Sequence, residues 1–284
     1  MQANASAASQ GLAKLTDSEF QSISDLIYKL AGIKLADGKK DLVYRRLAGR
    51  VNALGLGSFG EYYDFLLRDN ADELQGFCDS LTTNFTSFFR EQHHFDFLQR
   101  SFLPDLEANA GRLGNRLRIW SAGCSSGEEP YSIAITLRDH FRSIDRWDTR
   151  ILATDLDTQV IETCRAGIYN DERLEKVPSA AQKRWFSPNP GKPGSFRVKS
   201  SLQSLITFKQ LNLMSPWPMK GPFDIIFCRN VIIYFDKQTQ ARLVDRFADL
   251  LADGGYLIIG HSESLLNVSD RFELTGKTIH RKIR

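Results

Sequence analysis

Several features that would place this chain in a special class of protein are missing from its sequence. No apolar run approaches the ~20 residues that a membrane-spanning helix needs, so we expect no direct insertion into a membrane. The first ten residues lack the charged region and apolar core of a signal peptide. We interpret residues 1–14 as a disordered tail on a cytoplasmic protein.

Cysteine is scarce and scattered along the chain. The four cysteines are Cys78, Cys124, Cys164 and Cys228. No two of them form a Cys-x-x-Cys pair, which is the spacing typical of zinc and redox motifs. We therefore expect reduced, mostly buried thiols, and the sequence predicts no metal site.

An excess of charge of one sign is also missing. The 37 Lys and Arg residues nearly balance the 34 Asp and Glu residues, which leaves a formal net charge of +3 over 284 residues. So small an excess does not indicate a nucleic-acid partner. The content of 42% hydrophobic and 25% charged residues is typical of a globular protein with one large domain or two smaller ones.

The N-terminal part of the chain, up to about residue 109, is predicted to be helical. Thr16 and Glu19 form a capping box before an apolar stripe, and Ser58 and Glu61 form a second. Between them, a helix is predicted from about Lys39 to Leu54.

This predicted helix carries a basic stripe along the border of its apolar face. The stripe consists of Lys39, Arg46 and Arg50. It is either the solvated edge of an ordinary amphipathic helix or a docking surface for an acidic protein partner, and the sequence leaves both interpretations open.

From Arg116 onward, strand-like and helix-like segments alternate, which predicts a mainly parallel sheet with helices on both faces. Strands are predicted at 117–122, 151–154, 205–211, 223–227 and 256–260, with a strand pair at 272–282. Helices are predicted at 129–137, 158–165 and 237–251. Residues 167–205 are rich in Pro and Gly and alternate like a strand at 195–200, so they predict an inserted β subdomain.

Polar groups follow three of these predicted strands. One strand leads to Gly123 and Glu129, a second closes on Asp155, and a third ends in Arg229 and Asn230. Ligands of open α/β sheets bind beyond the carboxyl ends of the strands. We therefore expect one nucleotide-like ligand at this edge.

The ligand is predicted to lack phosphates. The turn Gly123-x-x-x-Gly127 is not a dinucleotide fingerprint, and the next residues, Glu128 and Glu129, would repel a phosphate. Asp155 is suited to both ribose hydroxyls, although it could instead cap the following helix. Adenosine attached to a methionine fits such a site, which indicates S-adenosylmethionine and a methyltransferase fold.

Three long motifs then resemble those of the bacterial chemotaxis receptor methyltransferases, the CheR family. They lie at 83–90, 120–132 and 227–236, in the order that the family has. The resemblance covers the chain from about residue 15 onward. It implies an α/β protein with a Rossmann-like S-adenosylmethionine-dependent methyltransferase sheet, an N-terminal all-helical domain and a small inserted β subdomain. We expect the helical domain at 15–90, a connecting helix and linker at 91–115, and the methyltransferase domain at 116–284, with the insertion at about 167–205.

The resemblance also implies a reaction. The enzyme would be a protein-glutamate O-methyltransferase that moves a methyl group to glutamate side chains on the cytoplasmic helices of methyl-accepting chemotaxis receptors. The products would be γ-glutamyl methyl esters and S-adenosylhomocysteine. The protein would be recruited to membrane receptor arrays, and the inserted subdomain would bind a receptor C-terminal peptide in some family members. Receptor recognition is assigned to Lys39, Arg46 and Arg50 as a hypothesis.

Roles for individual residues follow from the same resemblance. The expected cofactor contacts are Asn84, Thr86, Arg90, Glu129, Asp155, Asn212, Leu213, Arg229, Asn230 and Val231. Glu129 would bind the amino-acid portion and Asp155 the ribose, while Asn212 and Leu213 would flank the adenine. Arg90 and Tyr234 are the expected catalytic residues.

The predicted chemistry needs no general base, because a glutamate acceptor with a reference pKa of about 4.3 is already ionised at neutral pH. Arg90 would orient the carboxylate and Tyr234 would donate a hydrogen bond to it. Alternatively, Arg90 forms a salt bridge between domains and Tyr234 is a core aromatic. His93 and His94 begin an amphipathic helix, and we assign them no catalytic role. Two other functions remain open: methylation of another acceptor, such as RNA or a small molecule, and non-catalytic signalling by a cofactor-binding protein.

Overall fold

A computed structural model of the protein describes residues 12–68, 70–109 and 114–284. Most of the expected tail, residues 1–11, lies outside the described part of the chain. The described residues form two compact units, with the boundary between Thr82 and Thr83. The first unit therefore ends before residue 90, where the sequence placed the end of the helical domain.

The first unit is helical. Its four α-helices are α1 (Asp17–Ala31), α2 (Lys40–Ala53), α3 (Phe59–Leu66) and α4 (Ala71–Leu81). The complete capping box expected of Thr16 and Glu19 is present at the start of α1, and Gly32 ends the helix with a left-handed φ of 71°. At α3, Ser58 caps the Glu61 N–H, but the Glu61 side chain accepts from the N–H of Gly57.

The second unit contains a seven-stranded sheet with the order β6-β2-β1-β7-β8-β10-β9. These strands are β1 (Arg116–Ala122), β2 (Asp148–Asp155), β6 (Ile206–Gln210), β7 (Phe223–Cys228), β8 (Leu251–Ile259), β9 (Phe272–Gly276) and β10 (Ile279–Lys282). The first five strands in that order are parallel, and the β9–β10 hairpin continues the sheet antiparallel. The expected mainly parallel sheet is thus confirmed. β8 begins earlier than expected, at Leu251, so it includes the 253–255 segment that the sequence placed before the strand.

Helices accompany this sheet along the chain. They are α5 (His93–Phe97), α6 (Leu103–Ala108), α7 (Glu128–His140), α8 (Thr158–Ala166) and α12 (Lys237–Leu250). A π-helical turn, Leu98–Phe102, connects α5 to α6. The central strands are buried because both faces of a parallel sheet are covered, and the side chains of Ile119, Ile151 and Ile225 are fully buried.

The insertion between α8 and β6 forms a second, three-stranded antiparallel sheet with the order β3-β5-β4. Its elements are β3 (Ile168–Asn170), α9 (Asp171–Leu174), α10 (Ser179–Trp185), β4 (Phe186–Pro188), β5 (Ser195–Val198) and α11 (Ser200–Gln203). The alternation at 195–200 predicted β5, whereas the short helices were not predicted.

No helix among the described residues is both long and apolar enough to cross a membrane. The four cysteines are free and buried, as expected.

Candidate active site

The parallel register brings the carboxyl ends of five strands to one edge of the sheet. β6, β2, β1, β7 and β8 are neighbours in that order, so the residues that follow them lie side by side. This edge carries Asn212 after β6, Asp155 at the end of β2, Gly123 after β1, and Arg229 and Asn230 after β7. The structure thus brings together side chains that the sequence located only at separate strand ends.

Asp155 is buried and fixes the turn after β1. Its Oδ2 accepts a hydrogen bond from the Ser125 N–H at 2.8 Å, and its Oδ1 accepts from the Asp157 N–H at 3.0 Å. The cap of α8 is Asp157, whose side chain accepts from the N–H groups of Gln159 and Val160. The alternative interpretation of Asp155 as the helix cap is therefore wrong. Burial raises the pKa of Asp155 to about 6, although its bonds from backbone N–H groups oppose the shift.

Glu129 and Arg229 form a buried pair between α7 and the end of β7. The Glu129 Oε2 lies 2.9 Å from the Arg229 Nη1, and the Glu129 Oε1 accepts a 2.7 Å bond from the Ser121 hydroxyl. Burial raises the pKa of Glu129, and the Arg229 charge opposes this shift. Both oxygens of Glu129 thus have protein partners, and Arg229 supplies a buried cation at the end of β7.

The neighbouring Glu128 also has partners. It is fully buried, forms an ion pair with Arg173 of the insertion and accepts a bond from the Ser126 hydroxyl at 2.7 Å. Two buried carboxylates at the start of α7 leave that helix end unsuited to a phosphate, as the sequence indicated.

Gly123 allows close approach of the chain to the turn after β7. Its φ is 85°, and a Cβ at this position would lie 2.4 Å from the Val231 Cγ2. Only glycine fits here, because any other residue would be strained in the left-handed backbone conformation and its Cβ would clash with Val231.

The segment 83–92, which we call the strap, runs along the same edge. The Asn84 side chain donates to the Asp157 Oδ2 at 2.6 Å, and the Asn84 carbonyl accepts from the Ser125 hydroxyl at 3.0 Å. Thr86 is half-buried within the strap. These bonds explain why the strap belongs to the second compact unit rather than to the helical one.

Arg90 lies within the strap and is half-buried. Its Nη1 donates to the Phe85 carbonyl at 2.8 Å, and its guanidinium lies 5.4 Å from the centroid of the Phe85 ring. The Arg90 carbonyl accepts a bond from the Arg229 Nη2. Among the described residues Arg90 forms no ion pair, and its guanidinium is held by these contacts within the strap.

Three other expected residues, Asn212, Leu213 and Tyr234, differ in their burial and contacts. The Asn212 Oδ1 accepts from the Met214 N–H at 2.9 Å, and Leu213 is buried. Tyr234 is half-buried in the short 3₁₀ turn Ile232–Tyr234, so it is not a fully buried core aromatic.

Glu263, which the sequence analysis did not single out, organises the turn after β7. It is buried just beyond β8, and its carboxylate accepts hydrogen bonds from the backbone N–H groups of Asn230, Val231, Ile233 and Gly260. The sequence contains a pattern that could have predicted this residue, since Gly-His-Ser-Glu follows a predicted apolar strand in the same way as the polar residues after β1, β2 and β7.

His93 and His94 begin α5, as expected. Burial, followed by the nearby charge of Arg229, lowers the pKa of His94 to about 2, so this ring is neutral at physiological pH.

The basic stripe lies in the helical unit, where two of its three members have internal partners. The Arg46 Nη1 donates to the carbonyls of Leu81 and Thr82 at the end of α4. Arg50 forms two bonds to the Glu73 carboxylate, at 2.8 and 2.7 Å. Lys39 is exposed.

Two family models together match most of the chain. The model described as CheR methyltransferase, all-alpha domain, matches residues 18–82, and the model described as CheR methyltransferase, SAM binding domain, matches residues 84–281.

Curated relatives are similar along nearly their whole length. The chemotaxis protein methyltransferase of Escherichia coli (strain K12) is 44% identical over 270 residues, covering 94% of this chain and 91% of the relative. Chemotaxis protein methyltransferase 2 of Pseudomonas aeruginosa is 44% identical over 270 residues, covering 93% of each. The chemotaxis protein methyltransferase of Borreliella burgdorferi is 39% identical over 255 residues, covering 88% of this chain and 89% of the relative.

Proposed function

We propose that the acceptor of this chain is a glutamate side chain of a chemoreceptor. The chain belongs to the CheR methyltransferase family and uses S-adenosylmethionine for methylation in chemotaxis. The product would be a γ-glutamyl methyl ester on a cytoplasmic receptor helix. The proposed activity is that of a protein-glutamate O-methyltransferase.

The residues at the sheet edge fit S-adenosylmethionine. Asp155 offers a buried carboxylate to hydroxyl donors, and the turn at Gly123 leaves no room for a Cβ beside Val231. The buried carboxylates of Glu128 and Glu129 at the start of α7 would repel a phosphate there. In this assignment Asn84 and Thr86 contact the methionine end, Glu129 the amino-acid portion and Asp155 the ribose. Asn212 and Leu213 would flank the adenine, and Arg229 to Val231 would close the crevice.

When bound, the cofactor would supply an electrophilic methyl group on a positively charged sulfur. An ionised carboxylate oxygen would take this methyl group in line, and the sulfur would leave as the neutral thioether of S-adenosylhomocysteine. The site therefore has to position the acceptor and exclude water, since no proton has to be removed from an ionised carboxylate. We assign the orientation of this carboxylate to Arg90, through charge-assisted hydrogen bonds, and one further hydrogen bond to the Tyr234 hydroxyl. Both side chains are half-buried and so are accessible to an incoming substrate.

The main support for the proposal is the arrangement of three adjacent strands, β2, β1 and β7. Their ends place Asp155, the Gly123 turn and the Arg229–Val231 turn at a single edge of the sheet, in a chain of this family. The test is transfer of a tritiated methyl group to membranes that contain chemoreceptors. Label that is released by base as methanol would support a carboxyl methyl ester. Base-stable label, or label in RNA, would contradict it. Saturable binding of S-adenosylhomocysteine without any transfer would instead support a non-catalytic signalling protein.

Two further contacts with the receptor belong to the same proposal. We assign an electrostatic contact to the basic stripe, in which Lys39 is the exposed member. The second is a receptor C-terminal peptide, which would add a strand to an edge of the β3-β5-β4 sheet. Titration of the protein with such peptides tests this contact. These contacts would recruit a cytoplasmic protein to receptor arrays.

A further inference from the structure

Three side chains at the junction of the strap and α5 form a cluster of metal-ligand type. They are Glu91, His93 and His94, and one ligand atom of each lies within 4.8 Å of the other two. The Glu91 Oε2 and the His94 Nδ1 are 3.7 Å apart. We refer to these three residues as the Glu-His-His cluster. It lies outside the set of residues that the proposed reaction uses.

The cluster contains three buried polar atoms without a hydrogen bond, of which the Glu91 Oε2 has only the longer ion pair to Arg229. Glu91 Oε2, His93 Nε2 and His94 Nδ1 make no hydrogen bond with any residue in the described part of the chain. Buried polar atoms are nearly always paired, because an unpaired one loses its hydration without compensation. Three such atoms in one cluster, each able to present a lone pair, therefore indicate a missing common partner.

The orientation of His94 favours a cation as that partner. The side chain is fully buried, and its Nε2 lies 2.8 Å from the Thr278 hydroxyl oxygen. A hydrogen bond from Nε2–H to Thr278 would leave the lone pair on Nδ1, on the side of Glu91. Histidine ligands of metals are commonly fixed in this way through the nitrogen that does not bind the metal.

We propose that the Glu-His-His cluster binds a divalent transition metal, Zn²⁺ in particular. Two imidazole nitrogens and one carboxylate oxygen form a recognised donor set for zinc, with a fourth position left to water. His261 would support this site from outside, since its Nδ1 lies 2.8 Å from the other Glu91 oxygen, Oε1.

The net charge around the cluster favours binding of a cation, but a nearby guanidinium reduces the expected affinity. The Arg229 Nη2 lies 3.6 Å from the Glu91 Oε2, and the same guanidinium pairs with Glu129. The carboxylates of Glu91, Glu129 and Asp96 outnumber the cations of Arg229 and Lys277 by one, which favours a cation. Because the guanidinium repels the metal, we expect a dissociation constant of about micromolar order rather than the far lower values of closed structural zinc sites.

The test uses the full chain after dialysis against a chelator, titrated with Zn²⁺ in competition with a chromophoric chelator. We expect one equivalent to bind. His93→Gln should weaken this binding at least about tenfold, since it removes one of three ligands. Glu91→Gln, which keeps the size of the side chain, should do the same. His140→Gln is the matched control, because His140 is exposed and lies outside the cluster, and it should bind like the unmodified protein.

Cobalt substitution separates this site from the four thiols. Co²⁺ held by nitrogen and oxygen ligands should give visible absorption without the intense near-ultraviolet band of thiolate-to-metal charge transfer. A thiolate band would assign the metal to cysteines and overturn the proposal. Unchanged affinity in both His93→Gln and Glu91→Gln, or no saturable binding at ~100 µM Zn²⁺, would overturn it too. A buried water would then be the common partner of the three atoms.

Discussion

Glu263 holds the backbone of Asn230 from 33 positions further along the chain, because its Oε2 accepts a hydrogen bond from the Asn230 N–H at 2.9 Å. Its Oε1 accepts from the Val231 N–H at the same distance. Burial raises the pKa of Glu263, while the bonds from backbone N–H groups oppose the shift. One carboxylate after β8 thus fixes the turn after β7, where Asn230 has a left-handed φ of 58°.

Glu263→Gln should therefore weaken both the fold and the cofactor site. The amide keeps one acceptor oxygen but turns an NH₂ group toward backbone N–H donors, which leaves at least one of them unpaired. We expect a loss of ~1–3 kcal/mol in the free energy of unfolding and weaker binding of S-adenosylhomocysteine. Urea unfolding and calorimetric titration measure the two effects. Glu273→Gln, at an exposed position, is the control and should change neither. An unaltered cofactor affinity in Glu263→Gln would show that the turn does not depend on Glu263.

Cofactor binding should depend on pH through Asp155. Burial raises the pKa of this carboxyl to about 6, so it gains a proton as the pH falls through that value. A protonated carboxyl accepts hydrogen bonds from ribose hydroxyls less well. From the ionised fraction alone, the dissociation constant of S-adenosylhomocysteine should rise about fourfold between pH 7.5 and pH 5.5. Asp155→Asn should bind weakly and lose this dependence. The same pH slope in both proteins would assign the titration to another group.

Gly123→Ala should abolish or strongly reduce cofactor binding. The new Cβ would lie 2.4 Å from the Val231 Cγ2, and the φ of 85° is unfavourable for alanine. Gly114→Ala separates the two effects, because Gly114 also has a positive φ, 65°, but nothing lies within 4 Å of its added Cβ. We expect Gly114→Ala to cost ~1 kcal/mol of stability and to leave binding intact. Titration with S-adenosylhomocysteine compares the two variants, and equal affinities would refute the role of the close contact.

Arg90→Ala should lower turnover at least about tenfold, which corresponds to ~1.4 kcal/mol of transition-state stabilisation. The physical reason is the loss of the cation that we assign to the acceptor carboxylate. Initial rates at saturating cofactor and receptor measure the effect. Arg100→Ala removes an exposed arginine elsewhere in the same unit and should leave the rate unchanged. Full activity of Arg90→Ala would remove this residue from the mechanism.

The members of the basic stripe should respond differently to charge reversal. Lys39→Glu changes an exposed side chain, so it should raise the apparent receptor KM by about threefold or more and leave cofactor affinity and stability unchanged. Lys34→Glu, another exposed lysine of the helical unit, is the control. If Lys39→Glu and Lys34→Glu raise the receptor KM equally, the cause is the change in net charge and not a specific contact of the basic stripe.

Arg50→Glu should instead destabilise the helical unit. The bond network of Arg50, Glu73 and Tyr62 is partly buried, and the Tyr62 hydroxyl donates to the Glu73 Oε1 at 2.7 Å. Replacing the cation leaves two carboxylates facing each other, at an expected cost of ~1–3 kcal/mol. Urea unfolding measures this cost.

Local patterns in the sequence determined much of the fold. Capping residues with helical spacing predicted α1 and α3, helical spacing alone predicted α2, and apolar runs that end in polar groups predicted β1, β2 and β7. These signals depend on neighbours a few positions apart, so they can be seen without a structure. The polar strand ends also predicted a single ligand edge, since parallel strands of one sheet present their carboxyl ends together.

Other features depend on residues that are far apart in sequence, and only the tertiary structure decided them. Spacing alone does not show that Glu263 lies beneath the Asn230 turn, or that Arg229 pairs with Glu129, because both depend on the order in which the strands lie in the sheet. The same holds for Arg50 and Glu73, whose ion pair joins α2 to α4 within the helical unit. Sequence periodicity determines which face of a helix or strand is apolar. The packing of elements that are distant in sequence determines which polar groups come into contact, and the chemistry of this site depends on that packing.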